Sequence, residues 1–168
     1  MTVSIRMARP GDVPALVRLR MANGQRHAAL DPAGHRVPAQ APVRRHFEEL
    51  LSRPAPDAGV VVLVAEVAGT VAGMTELVIK PGPPGHQILL PRPQAEVHTV
   101  VLEAFRGQGV GRALAAAAER HAAERGVTRL VAPILAANAE AISFYSGAGF
   151  GSHGVILAKD LTPGPGGD

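Results

Sequence analysis

The segment from residue 96 to residue 120 constrains the fold of this chain more than any other stretch. Residues 96–102 read Glu-Val-His-Thr-Val-Val-Leu, a β-branched, apolar run of strand length. Residues 112–120 are rich in alanine and favour a helix. Between them, residues 106–111 read Arg-Gly-Gln-Gly-Val-Gly. The chain must therefore pass from a strand, through a glycine-dense turn, into the N-terminus of a helix.

This turn has the chemistry of an anion site. Glycine adopts a positive φ without steric cost and lets bare N–H groups approach a ligand closely. The first N–H groups of a helix lack intrahelical partners, and the helix dipole favours negative charge beside them. Arg106 adds a positive charge at the mouth, unless it is simply an exposed turn residue. We interpret residues 106–111 as a loop that cradles a pyrophosphate.

Two classes of pyrophosphate-binding loop do not fit these residues. The loop of phosphate-binding NTPases ends in Lys followed by Ser or Thr, whereas Arg112 and Ala113 follow Gly111 here. A dinucleotide fold needs Gly-x-Gly-x-x-Gly and an acid at the end of a later strand. The spacing here is Gly-x-Gly-x-Gly, and the strand-like residues 129–134 include no acid.

The loop resembles the Arg/Gln-x-x-Gly-x-Gly/Ala signature of the GCN5-related N-acetyltransferase (GNAT) family. A second segment, residues 138–150, resembles the family pattern Asn-x-x-Ala-x-x-Phe/Leu-Tyr-x-x-x-Gly-Phe. The matching residues are Arg106, Gly109 and Gly111 in the loop, and Asn138, Ala141, Phe144, Tyr145, Gly149 and Phe150 in the second segment. The resemblance implies an α/β fold with a splayed, mixed, mostly antiparallel sheet and helices on both faces.

The resemblance also implies acetyl-CoA as co-substrate and assigns its contacts. The backbone of Val100, Val101 and Leu102 would contact the cofactor arm and the thioester carbonyl, while their side chains pack. Asn138 would contact the arm, cap a short helix, or do both. The pyrophosphate would lie on the loop residues Arg106, Gly107, Gln108, Gly109, Val110, Gly111 and Arg112.

The same resemblance names candidate catalytic residues. Tyr145, the single tyrosine, matches the family's general acid, and a phenol with a pKa of about 10 is protonated at neutral pH. The general base is less clearly marked. His98 and Glu96 lie on one face of the predicted strand, and Glu76 lies on the preceding strand. Imidazole accepts a proton near neutral pH, which favours His98 over the carboxylates.

The expected reaction is direct transfer of an acetyl group from the thioester to a primary amine. The acceptor is a small molecule, a peptide or protein N-terminus, or a lysine. The chain has no Cys and no Ser in a nucleophile elbow, so no covalent enzyme intermediate is expected. Another acyl-CoA, a non-amine acceptor, and a CoA-binding regulatory module without turnover remain as alternatives.

Composition sets the remaining expectations. We expect one domain over residues 1–161 and a flexible Pro/Gly tail over residues 162–168. The absence of a membrane-length apolar run and of a signal-peptide pattern predicts a cytoplasmic protein. With no Cys and no metal-like histidine spacing, no metal site is expected. Scattered arginines and few aromatic residues give no support for nucleic-acid binding. A homodimer is an open possibility that the resemblance allows.

Periodicity predicts the elements outside this core. The predicted elements, in chain order, are a strand at 3–8, a helix capped by Asp12, a loop at 31–42, a helix at 43–51, a break at 54–59, strands at 60–67 and 70–80 joined by a turn at 68–69, a loop at 81–95, and a last strand at 155–161. Residues 81–95 contain five prolines and two glycines, too many for a strand or helix. We expect this loop to contact the acceptor.

Overall fold

A five-stranded sheet organises the computed structural model, which describes residues 2–53 and 59–161. The strands lie side by side in chain order, so no crossover separates neighbours. Three antiparallel pairs are followed by one parallel pair, β4 with β5. The strands are β1 (Val3–Met7), β2 (Val60–Val67), β3 (Thr70–Lys80), β4 (Gln94–Val101) and β5 (Arg129–Val131).

Helices cover both faces of the sheet. They are α1 (Val13–Leu30), α2 (Gln40–Ser52), α3 (Val110–Glu124) and α4 (Ala139–Gly147). On one face, Leu16 of α1 and Phe47 of α2 are buried against Met74. On the other face, Leu114 of α3 and Tyr145 of α4 belong to a second apolar cluster. The predicted mixed, mostly antiparallel sheet with helices on both sides is confirmed.

The local predictions hold best where the sequence alternates clearly. β2 and β3 begin and end at the predicted residues, and Ala68 and Gly69 join them with φ values of 48° and 79°. Two successive positive φ values are typical of the tight turns that match strand twist. Asp12 stands at the N-cap of α1, but its side chain makes no capping bond. It accepts hydrogen bonds from the guanidinium of Arg6 and the N–H of Arg9 instead.

The predicted last strand at 155–161 is wrong. Residues 151–161 form no helix or strand, and Val155, Ile156 and Leu157 are 84%, 92% and 90% exposed. β-branched residues favour a strand only when a neighbouring strand and a packed face receive them. β5 is three residues long, too short to receive a strand of this length. The tail at 162–168, and most of the predicted break at 54–59, lie outside the described residues.

The loop predicted at residues 81–95 is present but ends two residues earlier than predicted. This proline-rich loop forms no helix or strand from residue 81 to residue 93, and β4 begins at Gln94. Ile88, Leu89 and Leu90 at its centre are exposed.

Across the described ranges, no helix combines the length and apolar character that crossing a membrane requires.

Candidate active site

An opening between β4 and β5 lies at the centre of the site. The two strands pair only as far as Glu96 and Val131, where β5 ends. β4 continues beyond that point on β3, and the N–H of Leu102 donates to Ala72 O of β3 at 2.9 Å. Backbone groups in an antiparallel pair alternate between the two edges of the strand. The open edge of β4 is therefore formed by Val97, Thr99 and Val101.

The hydroxyl of Tyr145 occupies this opening. It accepts a hydrogen bond from the N–H of Thr99 at 3.1 Å and donates to Val97 O at 3.4 Å. The ring is buried between Phe144 and Phe150, with centroids 4.9 Å and 5.1 Å away. The strand that loses its neighbour thus receives a side-chain hydroxyl from α4 in its place.

This environment favours the protonated phenol. Burial raises the pKa of Tyr145 above the ordinary value for tyrosine, because the phenolate would be poorly solvated. The hydrogen bonds with Thr99 favour the phenolate, but their effect is smaller and the net shift of the pKa is upward. Tyr145 therefore keeps a proton at neutral pH at the place where the two strands separate.

The loop before α3 depends on two glycines. Gly109 is the N-cap of α3 with φ 80°, in the left-handed region that non-glycine residues rarely adopt. Gly111 packs directly on the ring of Phe144, and a Cβ there would lie 2.9 Å from the ring carbon Cε2. The first intrahelical bond joins Ala113 N to Gly109 O at 3.0 Å. The N–H groups of the first turn have no intrahelical partner and point out of the helix N-terminus.

The side chains of the loop point in different directions. Arg106 donates from Nε to Val101 O at 3.3 Å, and its Nη1 lies 3.5 Å from Glu140 Oε1. Gln108 turns back, and its Nε2 donates to Ala104 O at 2.9 Å. The guanidinium of Arg106 therefore lies at the mouth of the cleft, where the sequence predicted a positive charge. The side-chain amide of Gln108 is bonded to Ala104 instead.

A cleft of about 970 Å³ runs from the loop to the open edge of β4. It brings together most of the predicted residues, namely His98, Val100, Val101, Arg106, Gly107, Gly109, Val110, Gly111, Arg112, Asn138 and Tyr145. Glu96, Leu102 and Gln108 do not line it. Thr99 does, and our reading of the sequence missed it. Strand alternation would have indicated it, had the edge of β4 that loses its partner been known.

The candidate bases differ in their surroundings. His98 lines the cleft, and its Nε2 lies 3.7 Å from Glu96 Oε2. Glu96 is also 3.3 Å from Lys80 Nζ and does not line the cleft. Glu76 is buried and paired with Arg20 of α1. Of the three, His98 is the one that both reaches the cleft and carries no strong ion pair.

Asn138 combines a local bond with a place in the cleft. Its side-chain oxygen accepts a hydrogen bond from Ala141 N at 3.1 Å, so it is the predicted cap of α4. The residue is buried and also lines the cleft. Within the described part of the chain, no group of three or more His, Cys, Asp or Glu side chains is placed to hold a metal ion.

Comparison with known families agrees with this geometry. Residues 25–150 match the sequence model of the Acetyltransferase (GNAT) family. The chain belongs to this family. GNAT proteins use acetyl-CoA, and the loop at residues 106–111 and Tyr145 lie within the matched residues. No curated protein is significantly similar to the chain.

Solved structures agree with the GNAT fold. The BH1408 protein from Bacillus halodurans, in a mutant form, aligns with a TM-score of 0.84 and 18% identity over 95% of this chain and 99% of its own. Glucosamine-6-phosphate N-acetyltransferase from Arabidopsis thaliana aligns with a TM-score of 0.68 and 19% identity over 96% and 100%. A predicted acetyltransferase with acetyl-CoA from Clostridium acetobutylicum gives 0.69 and 16% over 95% and 97%. At these identities the likeness establishes the fold alone.

Titration of the phenol tests the environment of Tyr145. The chain has one Tyr and no Trp, so the near-ultraviolet absorbance of tyrosinate reports Tyr145 alone. We expect the midpoint in the folded protein to lie above that of the urea-unfolded chain, which titrates near pH 10. Burial of the phenol then contributes stability below about pH 10, and this is lost as the pH rises through the folded-state pKa. Equal midpoints would contradict the buried, protonated hydroxyl.

Proposed function

We propose that this chain is an acetyl-CoA-dependent N-acetyltransferase that moves an acetyl group directly from the thioester to a primary amine. The observation that carries the proposal is the Tyr145 hydroxyl, bound to the open backbone edge of β4 inside the cleft. The acceptor is a small-molecule amine, a peptide or protein N-terminus, or a lysine side chain. We place the enzyme in the cytoplasm.

The cofactor arm would lie along the open edge of β4. Val101 and Thr99 have backbone N–H groups on that edge, and the Thr99 N–H, which donates to the Tyr145 hydroxyl, would exchange that acceptor for the cofactor. A thioester carbonyl held by such a donor is polarised for attack. The family resemblance also proposed the backbone of Leu102 and Val100. The N–H of Leu102 is bonded to β3, and Val100, two residues earlier, has its backbone groups on the same edge. These two residues would therefore contribute packing, while Thr99 and Val101 supply the hydrogen bonds. Asn138 would border the arm from α4.

The pyrophosphate would lie on the loop, at the N-terminus of α3. The N–H groups of Val110, Gly111 and Arg112 belong to the first helical turn and favour an anion. Gly107 and Gly109 allow the loop to turn with positive φ. Arg106 and Arg112 contribute charge, and Gln108 supports the loop through its bond to Ala104.

Two side chains would handle the protons of the reaction. Tyr145 would donate its proton to the departing thiolate. A phenol with an ordinary pKa near 10 carries that proton at neutral pH, and burial raises the pKa of Tyr145 further. His98 would accept the proton that the attacking amine releases, because it reaches the cleft while Glu76 is paired with Arg20. Glu96, beside His98, would orient the imidazole.

Binding and turnover can be measured on one sample of the purified protein. Calorimetric titration with acetyl-CoA should give saturable binding, and an assay of free thiol over a panel of amines should give release with at least one acceptor. Binding without thiol release on any amine would favour a CoA-binding regulatory module. The absence of binding would contradict the assignment of residues 106–111.

Substitution of Tyr145 by Phe tests the acid directly. Tyr145→Phe retains the ring between Phe144 and Phe150, so we expect acetyl-CoA affinity to change little. Loss of a general acid should lower kcat by about 10²–10⁴-fold. Ser52→Ala, which removes a hydroxyl bonded to Glu49 O in α2, is the matched control and should leave kcat unchanged. Normal turnover in Tyr145→Phe would remove this residue from the chemistry.

A further inference from the structure

One carboxylate joins two arginines across the mouth of the cleft. Glu140, in the first turn of α4, has its Oε2 2.5 Å from Nη2 of Arg26 and its Oε1 3.5 Å from Nη1 of Arg106. Arg26 belongs to α1, more than one hundred residues earlier in the sequence. Elements from both ends of the chain therefore meet at a point where two cationic groups share a single anion.

This carboxylate is a weak partner for both guanidinium groups. The side chain of Glu140 is 59% exposed, and exposed ion pairs contribute little to stability because water and salt screen them. It also carries one negative charge against two positive charges. A pyrophosphate carries more charge and more acceptor oxygens, and guanidinium groups bind phosphate oxygens in bidentate fashion.

The charges around the cleft favour such an exchange. The arginines that line it are Arg26, Arg106 and Arg112, and the carboxylates are Glu103 and Glu140. Release of Glu140 would leave three guanidinium groups facing one remaining carboxylate. Because Arg26 and Arg106 contact the same carboxylate group, an anion held by the loop at Arg106 lies within reach of Arg26.

We infer that Arg26 is a further cofactor-binding residue, which binds the pyrophosphate together with Arg106 once the cofactor displaces the Glu140 carboxylate. This inference rests on the proposed function, since it requires that the cleft bind CoA. Glu140 is then an internal competitor that holds the two arginines in place before the cofactor arrives. Arg26 would thereby add a contact from α1 to a site otherwise built from the loop and the start of α3.

The test compares three ligands on matched variants. The ligands are CoA, dephospho-CoA, which lacks the ribose phosphate, and pantetheine, which lacks every phosphate. Arg26→Gln should weaken binding of CoA and dephospho-CoA by about tenfold, the loss of one charge-assisted hydrogen bond, and leave pantetheine unchanged. Arg120→Gln removes an exposed arginine of α3 outside the cleft and should bind all three ligands as the unaltered protein does.

Substitution of Glu140 is an independent test, in which the expected change in CoA affinity has the opposite direction. Glu140→Gln keeps the shape of the side chain and removes the competing charge. It should tighten CoA binding by about two- to fivefold, the factor that corresponds to one exposed ion pair. Glu119→Gln, on the exposed face of α3, is its control and should leave CoA affinity unchanged. Weaker CoA binding in Glu140→Gln would contradict the role of Glu140 as a competitor.

The remaining outcomes separate this inference from the proposed function. Equal CoA affinity in Arg26→Gln and Arg120→Gln would overturn the role of Arg26 while leaving the proposed function intact. A loss seen equally with pantetheine would mean that Arg26 acts through the fold and not on a phosphate. A loss with CoA but not with dephospho-CoA would overturn the assignment to the pyrophosphate. If the unaltered protein binds no CoA, both the inference and the proposed function fail.

Discussion

The hydrogen bonds between the Tyr145 hydroxyl and the backbone of β4 attach α4 to the open edge of that strand. β5 stops after three residues, so β4 keeps unpaired N–H and C=O groups inside the protein. Buried backbone groups without partners are costly, and the phenol satisfies two of them. The ring of Tyr145 packs between Phe144 and Phe150, and its hydroxyl reaches the edge of β4 from α4. A ligand with amide groups in its arm can pair with the same edge.

The core of the fold could be predicted because its signals are local. Alternation in β2 and β3, the glycines of the loop and the alanines of α3 each specify their own structure. The cap of α4 at Asn138 is equally local. The predicted strand at 155–161 failed because its formation requires a partner that β5 is too short to provide. Local propensity carried no information about that neighbour.

The sequence predicted the outline of the site, but the prediction left out several of its residues. Motif spacing indicated the loop and Tyr145, and the cleft collects most of those residues. Thr99 was missed because the choice of the open edge of β4 depends on where β5 ends. Arg26 and Glu140 meet across the fold from positions far apart in the sequence, and no short motif records such a pair. Charges that meet only in three dimensions are visible only in the structure.

The most direct test of this account is the response of individual β4 amides to acetyl-CoA in nuclear magnetic resonance spectra. The N–H groups of Thr99 and Val101 lie on the open edge, while Leu102 N–H is bonded to β3. We predict large shift changes at Thr99 and Val101, together with the first-turn amides of α3, and small changes at Leu102. Comparable changes along both edges of β4, or none in the strand while the cofactor binds, would contradict the central role of the opening.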